Sequence, residues 1–217
     1  MAKDKSTKIW IKHHIEDPYV KLAHQKGYRA RAAFKLIELL DSEKINFKNK
    51  KIVIDLGSSP GSWSQVMRER MILPDGSMNG KIIALDMLPM EPISGVDFIQ
   101  GDFRDYDTIE KLKKYISNQS VDIVISDMAP NLTGIASADS ARVQHVCELA
   151  MEFSVSHLKN NGVMIVKAFH GAGFSQIVFL YKKFFKSVVE IKPRASRANS
   201  SETFLIAREL KQRLLDF

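Results

Sequence analysis

The sequence has little cysteine and no long apolar run. Its 217 residues include a single cysteine, Cys147, which excludes a disulfide framework and a multi-cysteine zinc site. No apolar stretch approaches the ~20 residues of a membrane-spanning helix, so we expect no membrane association. The charged N-terminus lacks the apolar segment of a secretory signal. The six histidines show no spacing with a carboxylate or cysteine that is typical of a metal site. We therefore expect a cytoplasmic protein with no bound metal.

Acidic residues are outnumbered, and the imbalance lies at the two ends of the chain. The 32 Lys and Arg residues against 25 Asp and Glu residues give a net charge of +7. Residues 1–35 contain nine basic and three acidic residues, and residues 182–217 contain nine and four. Residues 36–181 contain 14 basic and 18 acidic residues. Basic ends around an acidic middle indicate a polyanionic partner such as nucleic acid.

The chain divides at its first clear periodic segment. Residues 1–27 show no hydrophobic period, and we predict a basic arm there, followed by a single domain over residues 28–217. A helical pattern begins at Tyr28. One face of this helix is apolar: Ala33, Leu36, Ile37 and Leu40. Lys35 falls on the opposite face and is predicted to point away from the surface that the helix buries.

Short apolar strands then alternate with helices. The predicted strands cover residues 51–55, 81–86, 96–100, 121–126, 163–169, 188–191 and 203–207. The predicted helices cover residues 62–72, 107–117, 139–159 and 173–185. This alternation is typical of a Rossmann-like α/β fold, in which a doubly wound, mostly parallel sheet of seven strands has helices on both faces. Ligands of such sheets bind at the carboxyl ends of the strands. Acids stand there: Asp55, Asp86, Asp102 and Asp127.

A glycine-rich loop, residues 57–61, follows the first strand. It lacks the GxGxxG pattern of dinucleotide-binding proteins and the Gly-Lys-Ser/Thr of a phosphate-binding loop. It formally matches the GxSxG nucleophile elbow, but that motif requires earlier strands and a downstream acid and histidine, and the last histidine, His170, precedes two further strands.

A site for a nucleoside joined to an amino acid, such as S-adenosylmethionine, is the third interpretation of this loop. The loop backbone would hold the amino-acid end. Asp86 would hold the ribose hydroxyls, and Asp102 with Phe103 would hold the adenine. The simpler alternative is that the strand-end acids are helix caps.

Three further polar residues stand where chemistry is possible. Lys167 lies within an apolar strand, where a lysine is costly unless it is paired or used. Asp127 opens a loop after another strand, and Glu202 precedes the last predicted strand. Each also has a simple structural explanation: a lysine extending to solvent from an edge strand, a turn-forming aspartate and an exposed glutamate.

Six stretches of the chain resemble the FtsJ/RrmJ (RlmE) family of ribosomal-RNA 2′-O-methyltransferases: residues 27–36, 55–66, 86–105, 126–134, 167–174 and 196–204. The resemblance implies a catalytic Lys–Asp–Lys–Glu tetrad at Lys35, Asp127, Lys167 and Glu202. It also implies that S-adenosylmethionine contacts Gly61, Trp63, Asp86, Asp102 and Asp127, and we extend this predicted set to Gly57, Pro60, Met87 and Phe103. The family usually has Gly-Gly before the tryptophan, whereas this chain has Gly61-Ser62, so we expect a small change at that loop.

The resemblance implies a specific reaction: S-adenosylmethionine-dependent 2′-O-methylation of a uridine in 23S ribosomal RNA, within the assembled large subunit and by a monomer. Lys167 would steer the hydroxyl and either accept its proton or stabilise the oxyanion. Basic residues near both ends would hold RNA phosphates: Arg29, Arg31, Lys35, Lys192, Arg194 and Arg197. Two alternatives remain open, a 2′-O-methyltransferase of tRNA or an mRNA cap, and an rRNA-binding ribosome assembly factor.

Overall fold

A computed structural model describes residues 16–48, 51–130 and 133–211 of the chain. The helices in these ranges are α1 (Pro18–Lys26), α2 (Ala32–Ser42), α3 (Ser62–Met71), α4 (Tyr106–Ile116), α5 (Ala136–His157) and α6 (Phe174–Phe184). The strands are β1 (Ile52–Leu56), β2 (Lys81–Asp86), β3 (Asp97–Gln100), β4 (Val121–Ser126), β5 (Leu158–Phe169), β6 (Phe185–Ile191) and β7 (Glu202–Leu210).

The seven strands form one sheet in the order β3-β2-β1-β4-β5-β7-β6. Strands β1 to β5 pair in parallel, and β7 runs antiparallel to both β5 and β6. The predicted doubly wound, mostly parallel seven-stranded sheet is therefore confirmed. The strand order reverses between β1 and β4, and the crevice at such a point is where open α/β sheets bind their ligands.

Alternate strand residues pack against helices on opposite faces of the sheet. On one face, Val53 and Ile82 join the buried residues of α2 and α3. On the other face, Ile54 and Ile83 join those of α4, α5 and α6. All five residues of β1 and all six of β4 are buried because both faces are covered, which is why these strands are apolar runs in the sequence.

The N-terminal region differs from the predicted arm. Residues 1–15 lie outside the described residues, but residues 18–26 form the helix α1. Asp17 caps this helix by accepting the backbone N–H of Tyr19 at 2.9 Å, and Ala23 is buried. Pro18 at the first helical position suits the start of a helix because the N–H that it lacks is unpaired there anyway. The division of the chain at residue 27 stays a prediction.

The last three strands are longer than predicted. β5 begins at Leu158, where the sequence predicted the end of a helix, and its pairing with β4 shifts register between Val121 and Ile123. This irregularity absorbs the polar Asn160-Asn161-Gly162 segment within the strand. Among the described residues, no helix is long and apolar enough to cross a bilayer.

Candidate active site

Two glycines shape the loop between β1 and α3. Gly57 has a φ of 72°, and its N–H donates to Leu85 O at 2.8 Å. A Cβ at Gly57 would collide with the Met128 side chain, and a Cβ at Gly61 (φ 106°) would stand 2.8 Å from Arg29 Nη1. At both positions the backbone is left-handed and a neighbouring side chain approaches closely, and both conditions favour glycine. The retained Gly61 accounts for the small effect expected of the neighbouring Ser62, which is buried at the start of α3.

A cavity of about 510 Å³ opens beside this loop at the carboxyl ends of the parallel strands. Six residues of the predicted cofactor site line it: Gly57, Asp86, Met87, Asp102, Phe103 and Asp127. The structure thus brings together residues from four separate segments of the sequence, and the volume lies in the range of small-molecule sites. Three acids and one arginine, Arg104, line the cavity, which favours a ligand with positive charge.

The acids after β2 and β3 are held in fixed positions. Asp86 accepts the backbone N–H groups of Ser59 and Leu88, each at 2.8 Å. Asp102 accepts the backbone N–H of Arg104 at 2.9 Å and pairs with its guanidinium. The Arg104 hydrogen bond holds the pKa of Asp102 below its ordinary value. Each carboxylate oxygen has a further lone pair, so both acids keep acceptor capacity toward the cavity.

The other three residues of the predicted cofactor site do not line the cavity. Pro60 and Gly61 lie on the far side of the loop, toward Arg29. Trp63 is 2% exposed, packs at a tilt against Phe204 with 5.7 Å between ring centroids, and donates its indole N–H to Ala32 O at 2.9 Å. The structure therefore places the Trp63 side chain in the core, where it packs between α2 and β7.

The cavity also has walls that sequence reasoning missed. His145, Val146 and Leu149 of α5 line it, along with Met128, Ala129 and Pro130 after β4. The α5 residues carry no sequence signal because helical spacing of this kind is typical of any half-buried helix. Only the packing of α5 against the sheet brings them to the site.

Buried polar atoms without hydrogen-bond partners gather at the ends of β1 and β4. Four of the atoms of this kind in the described residues lie there: Asp55 Oδ1, Ser58 Oγ, Ser126 Oγ and Asp127 Oδ1, of which Asp127 Oδ1 has only its ion-pair contact with Lys167. Burial raises the pKa of Asp55 to about 7, against a hydrogen bond from Ser64 Oγ at 2.6 Å that lowers it. Unpaired buried polar atoms are rare in folded proteins, and a cluster of them beside a cavity fits a polar ligand there.

Lys167 and Asp127 form one half of the predicted tetrad. Lys167 Nζ donates to the backbone carbonyl of Asp127 at 2.6 Å and lies 3.1 Å from Asp127 Oδ1, an ion pair without hydrogen-bond alignment. The Lys167 side chain is 9% exposed. The alternative of a lysine extending to solvent is therefore wrong, and the amine stands beside an acid that lines the cavity.

Lys35 and Glu202 form the other half. Lys35 Nζ lies 2.7 Å from Glu202 Oε1 and 2.8 Å from Oε2, and both side chains are nearly buried. Burial raises the pKa of Glu202, but the charge and hydrogen bond of Lys35 outweigh this, so the net pKa is lowered. The prediction that Lys35 points away from the buried surface is wrong, because the polar face of α2 packs against the segment that joins β6 to β7.

Strand alternation explains how the four residues meet. Lys167 pairs with Phe204 across β5 and β7, and Glu202 stands two residues from Phe204 on the same face. That face is covered by α2, which contributes Lys35, whose Nζ lies 5.9 Å from the Phe204 ring centroid. The charge of Lys167 also lowers the pKa of Glu202, so the two pairs are coupled.

Two arginines of the predicted RNA-binding set are engaged within the protein. Arg29 donates to three backbone carbonyls, those of Pro60 at 2.9 Å, Glu91 at 2.7 Å and Pro92 at 3.0 Å. Arg31 pairs with Asp17 and donates to Ala195 O. Both guanidinium groups therefore brace loops, whatever further contacts they make.

Three other basic residues of that set lie on the segment between β6 and β7: Lys192, Arg194 and Arg197. All three are exposed, although Arg197 lies 3.7 Å from Asp17 and Lys192 donates to Ser200 O at 2.7 Å. Glu38 of α2 holds this segment by accepting the backbone N–H of Arg194 at 2.6 Å and of Ala195 at 3.1 Å. The helical spacing puts Glu38 on the same polar face as Lys35, three residues earlier, but nothing in the sequence gives it the role of holding this segment.

Histidine, cysteine and acidic side chains do not cluster for metal binding in the part of the chain that the structure describes. His170 lies 2.6 Å from Glu190 Oε1, and Cys147 is buried in the core, where burial raises the pKa of its thiol to about 12.

The fold and the site define the class of the protein, a Rossmann-like methyltransferase. The crystal structure described as a ribosomal RNA methyltransferase from Plasmodium falciparum has a TM-score of 0.73 at 32% identity, covering 84% of this chain and 98% of that one. Human methyltransferase-like protein 13, solved in complex with SAH, has a TM-score of 0.55 at 15% identity and covers 86% of this chain and 84% of its own, a likeness that shows the fold alone.

The sequence comparisons are more specific. Ribosomal RNA large subunit methyltransferase E of Bordetella pertussis is 66% identical over 211 residues, which are 97% of this chain and all of that protein. The protein of the same description from Burkholderia mallei strain SAVP1 is 51% identical over 219 residues, covering 98% of this chain and 99% of its own. Residues 28–210 match the FtsJ-like methyltransferase family, and the chain belongs to this family. The resemblance noted in the sequence is confirmed.

Proposed function

We propose that this protein methylates a ribose 2′-oxygen of large-subunit ribosomal RNA, with S-adenosylmethionine as methyl donor. The observation that carries the proposal is the position of Lys167: its buried amine pairs with Asp127, which also lines the 510 Å³ cavity. An amine that can hold a hydroxyl thus stands at the edge of a site for a nucleoside-sized ligand. The relatives described as ribosomal RNA large subunit methyltransferase E support the choice of RNA.

The cavity suits S-adenosylmethionine by its charges and its buried polar atoms. Asp86 would accept the ribose hydroxyls, and Asp102 with Phe103 would hold the adenine. Asp127 would face the positively charged amino-acid end, because it lines the cavity and its Oδ1 accepts no hydrogen bond within the described residues. When bound, S-adenosylmethionine would supply an electrophilic methyl carbon, to which the attacking oxygen bonds while the C–S bond breaks and S-adenosylhomocysteine leaves.

The tetrad acts on the acceptor hydroxyl. A ribose 2′-hydroxyl is a poor nucleophile at neutral pH, so it must be aligned and its proton must leave. Lys167 would hold the 2′-oxygen and take its proton when the amine is neutral, or donate a hydrogen bond to the developing oxyanion when it is charged. Asp127 would orient Lys167 through the carboxylate and the carbonyl that the amine contacts.

The Lys35–Glu202 pair would set the charge around Lys167. Glu202 is held ionised by Lys35, and the Lys35 ammonium stands on the same face of the sheet. A nearby cation favours the neutral form of a lysine, whereas the carboxylates favour its charged form. Lys192, Arg194 and Arg197 are exposed on the segment that leads into Glu202, and we propose that they bind RNA phosphates around the acceptor nucleotide.

The proposed substrate is a uridine of 23S ribosomal RNA within the assembled large subunit, and the proposed active species is a monomer. The test incubates purified protein and isotopically labelled S-adenosylmethionine with large subunits from a strain that lacks this protein. Digestion and mass spectrometry then identify the labelled nucleoside. We expect labelled 2′-O-methyluridine in the large-subunit RNA.

The same assay on tRNA and capped RNA separates the alternatives. Label only on one of those RNAs would overturn the proposed substrate but keep the chemistry. If no RNA is labelled and the protein still binds large subunits, the proposed enzymatic function is wrong and the assembly-factor alternative takes its place.

A further inference from the structure

A second cavity, of about 230 Å³, opens at the carboxyl end of β5, separate from the cavity proposed for the donor. Phe169 connects it to the tetrad, because its ring lines this cavity and has its centroid 5.8 Å from Lys167 Nζ. The two residues are two positions apart on an extended strand, a separation of about 7 Å. Phe169 therefore stands between the second cavity and the amine proposed to hold the acceptor hydroxyl.

The walls of this cavity suit an uncharged planar group. Its lining contains no lysine or arginine but includes Asp139, whose carboxylate accepts the backbone N–H groups of Thr133 and Gly134. An anionic phosphate would be repelled there. Apolar side chains of Val143 and Ile177 and the hydroxyls of Ser140 and Ser201 complete much of the wall. Apolar walls with a few polar groups are typical of a site that orients a flat ring by its edge.

His170 provides an oriented ring at this cavity. Its Nε2 lies 2.6 Å from Glu190 Oε1, and its ring centroid lies 4.4 Å from that of Phe174. Glu190 is itself held, since Thr203 Oγ1 donates to it at 3.1 Å. The imidazole is half exposed and lines the cavity. Unstacked RNA bases bind to aromatic and histidine rings of this kind.

We propose that this second cavity, which we call the base cavity (Asp139, Ser140, Val143, Phe169, His170 and their neighbours), binds the nucleobase of the nucleotide whose ribose is methylated. The proposal rests on the proposed function. A base that leaves its stack and enters the base cavity carries its own ribose toward Lys167, which presents the 2′-hydroxyl for attack. The base cavity would thus align the acceptor from one side of Lys167 while the larger cavity holds the donor on the other.

Two variants and one control test the base cavity in the full-length protein. His170→Ala removes the ring, and Ala172→Leu places a bulky side chain at an exposed position of the cavity wall. Phe179→Ala removes an aromatic residue of α6 that is 74% exposed and lies outside the lining. Thermal unfolding checks that each variant folds, and calorimetry with S-adenosylmethionine checks that the donor site is intact.

The substrate is varied in parallel. Large-subunit RNA is prepared by ligation with the acceptor nucleotide intact, or with its ribose kept and its base removed, and is assembled into subunits. We expect base removal to lower kcat/KM of the unchanged protein roughly ten-fold, as loss of one base–aromatic stack does. On the intact substrate, His170→Ala should lower kcat/KM by the same factor as base removal does. On the abasic substrate, it should lower kcat/KM little further. Ala172→Leu should also lose activity on the intact substrate, and Phe179→Ala should match the unchanged protein.

The outcomes separate this proposal from the proposed function. Equal transfer by the unchanged protein to intact and abasic subunits overturns the base cavity and leaves the function standing. The base cavity is also overturned, with the function left standing, if His170→Ala and base removal lower activity by independent factors. No transfer to intact subunits by the unchanged protein overturns the function itself.

Discussion

At the scale of single residues, the position of Lys167 makes a sharp prediction. Lys167→Ala removes the amine that contacts Asp127 and is expected to lower kcat at least ~100-fold, the contribution of a positioned acid–base group. The measurement is single-turnover methyl transfer to large subunits. Affinity for S-adenosylmethionine should change little, because the amine does not line the donor cavity.

Lys159 offers a matched control on the same strand. It pairs with Asp122 at 2.9 Å near the amino end of β5, so Lys159→Ala also breaks a lysine–aspartate ion pair. We expect this control to transfer methyl groups at the unchanged rate. Near-normal transfer by Lys167→Ala would refute the role of the amine.

The raised pKa of Asp55 predicts that the free energy of unfolding depends on pH. Its pKa is raised from 3.8 to about 7 in the folded protein, chiefly by burial. In the window between these values the native state keeps a proton that the unfolded chain has lost. Stability therefore falls as pH rises through this window, by up to about 4 kcal/mol for an isolated group. Below pH 3.8 Asp55 is protonated in both states, so the stability that depends on its protonation is fully present.

Asp55→Asn tests this dependence because the amide is neutral at every pH in the window. The free energy of unfolding is measured in urea without donor. As pH rises from 5 to 8, it should fall for the unchanged protein relative to the variant. The hydrogen bond from Ser64 Oγ can persist in the variant, so the two proteins differ mainly in charge. A difference that stays constant across this pH range would rule out the shifted titration.

At the scale of structural elements, the loops around the donor cavity depend on Arg29. Its guanidinium joins Pro60 of the glycine-rich loop to Glu91 and Pro92 of the loop after β2. A lysine has one nitrogen and cannot reach three carbonyls with the geometry of a planar guanidinium. Arg29→Lys is therefore expected to weaken S-adenosylmethionine binding several-fold while keeping the positive charge.

Arg194→Ala is the complementary variant. The Arg194 side chain is exposed on the segment between β6 and β7, and its backbone N–H keeps its bond to Glu38 after the substitution. We expect it to weaken RNA binding and leave donor binding unchanged, the opposite pattern to Arg29→Lys. Calorimetry with the donor and filter binding with RNA measure the two affinities, and a shared pattern would refute the division of roles.

At the scale of the whole molecule, the N-terminal region combines a basic segment with a docked helix. Removing residues 1–15 deletes four lysines but leaves Asp17 and α1 in place. We expect weaker RNA binding and a shallower dependence of log Kd on log salt, by up to about 0.9 for each lost phosphate contact. The melting temperature should stay the same.

Removing residues 1–27 should have a second effect. It takes away the Asp17 carboxylate that pairs with Arg31 and exposes the surface that buries Ala23. The melting temperature should then fall in addition to the change in RNA affinity. An unchanged salt slope after either deletion would show that residues 1–15 do not contact RNA, and an unchanged melting temperature after the longer one would show that α1 contributes no stability.

The sequence by itself determined the alternation of strands and helices, and with it the sheet. Strands buried on both faces must be apolar throughout, so β1 and β4 are visible as runs. The chain order of the strands then places Asp86, Asp102 and Asp127 at one edge. Sequence motifs also predicted Lys35 and Glu202, which the structure brings into contact across 167 positions.

Only the tertiary structure decided what each polar side chain faces. The period of α2 predicts Lys35 on the polar side of the helix, but it does not show that Glu202 and the segment between β6 and β7 cover that side and bury the amine. Likewise, the basic composition near Arg29 does not show that its donors are used by loop carbonyls. Hydrogen-bond and ion-pair partners come from distant parts of the chain, and local periodicity carries no information about which distant element packs where. The base cavity beside Phe169 belongs to the same category, since three separate segments meet to form it.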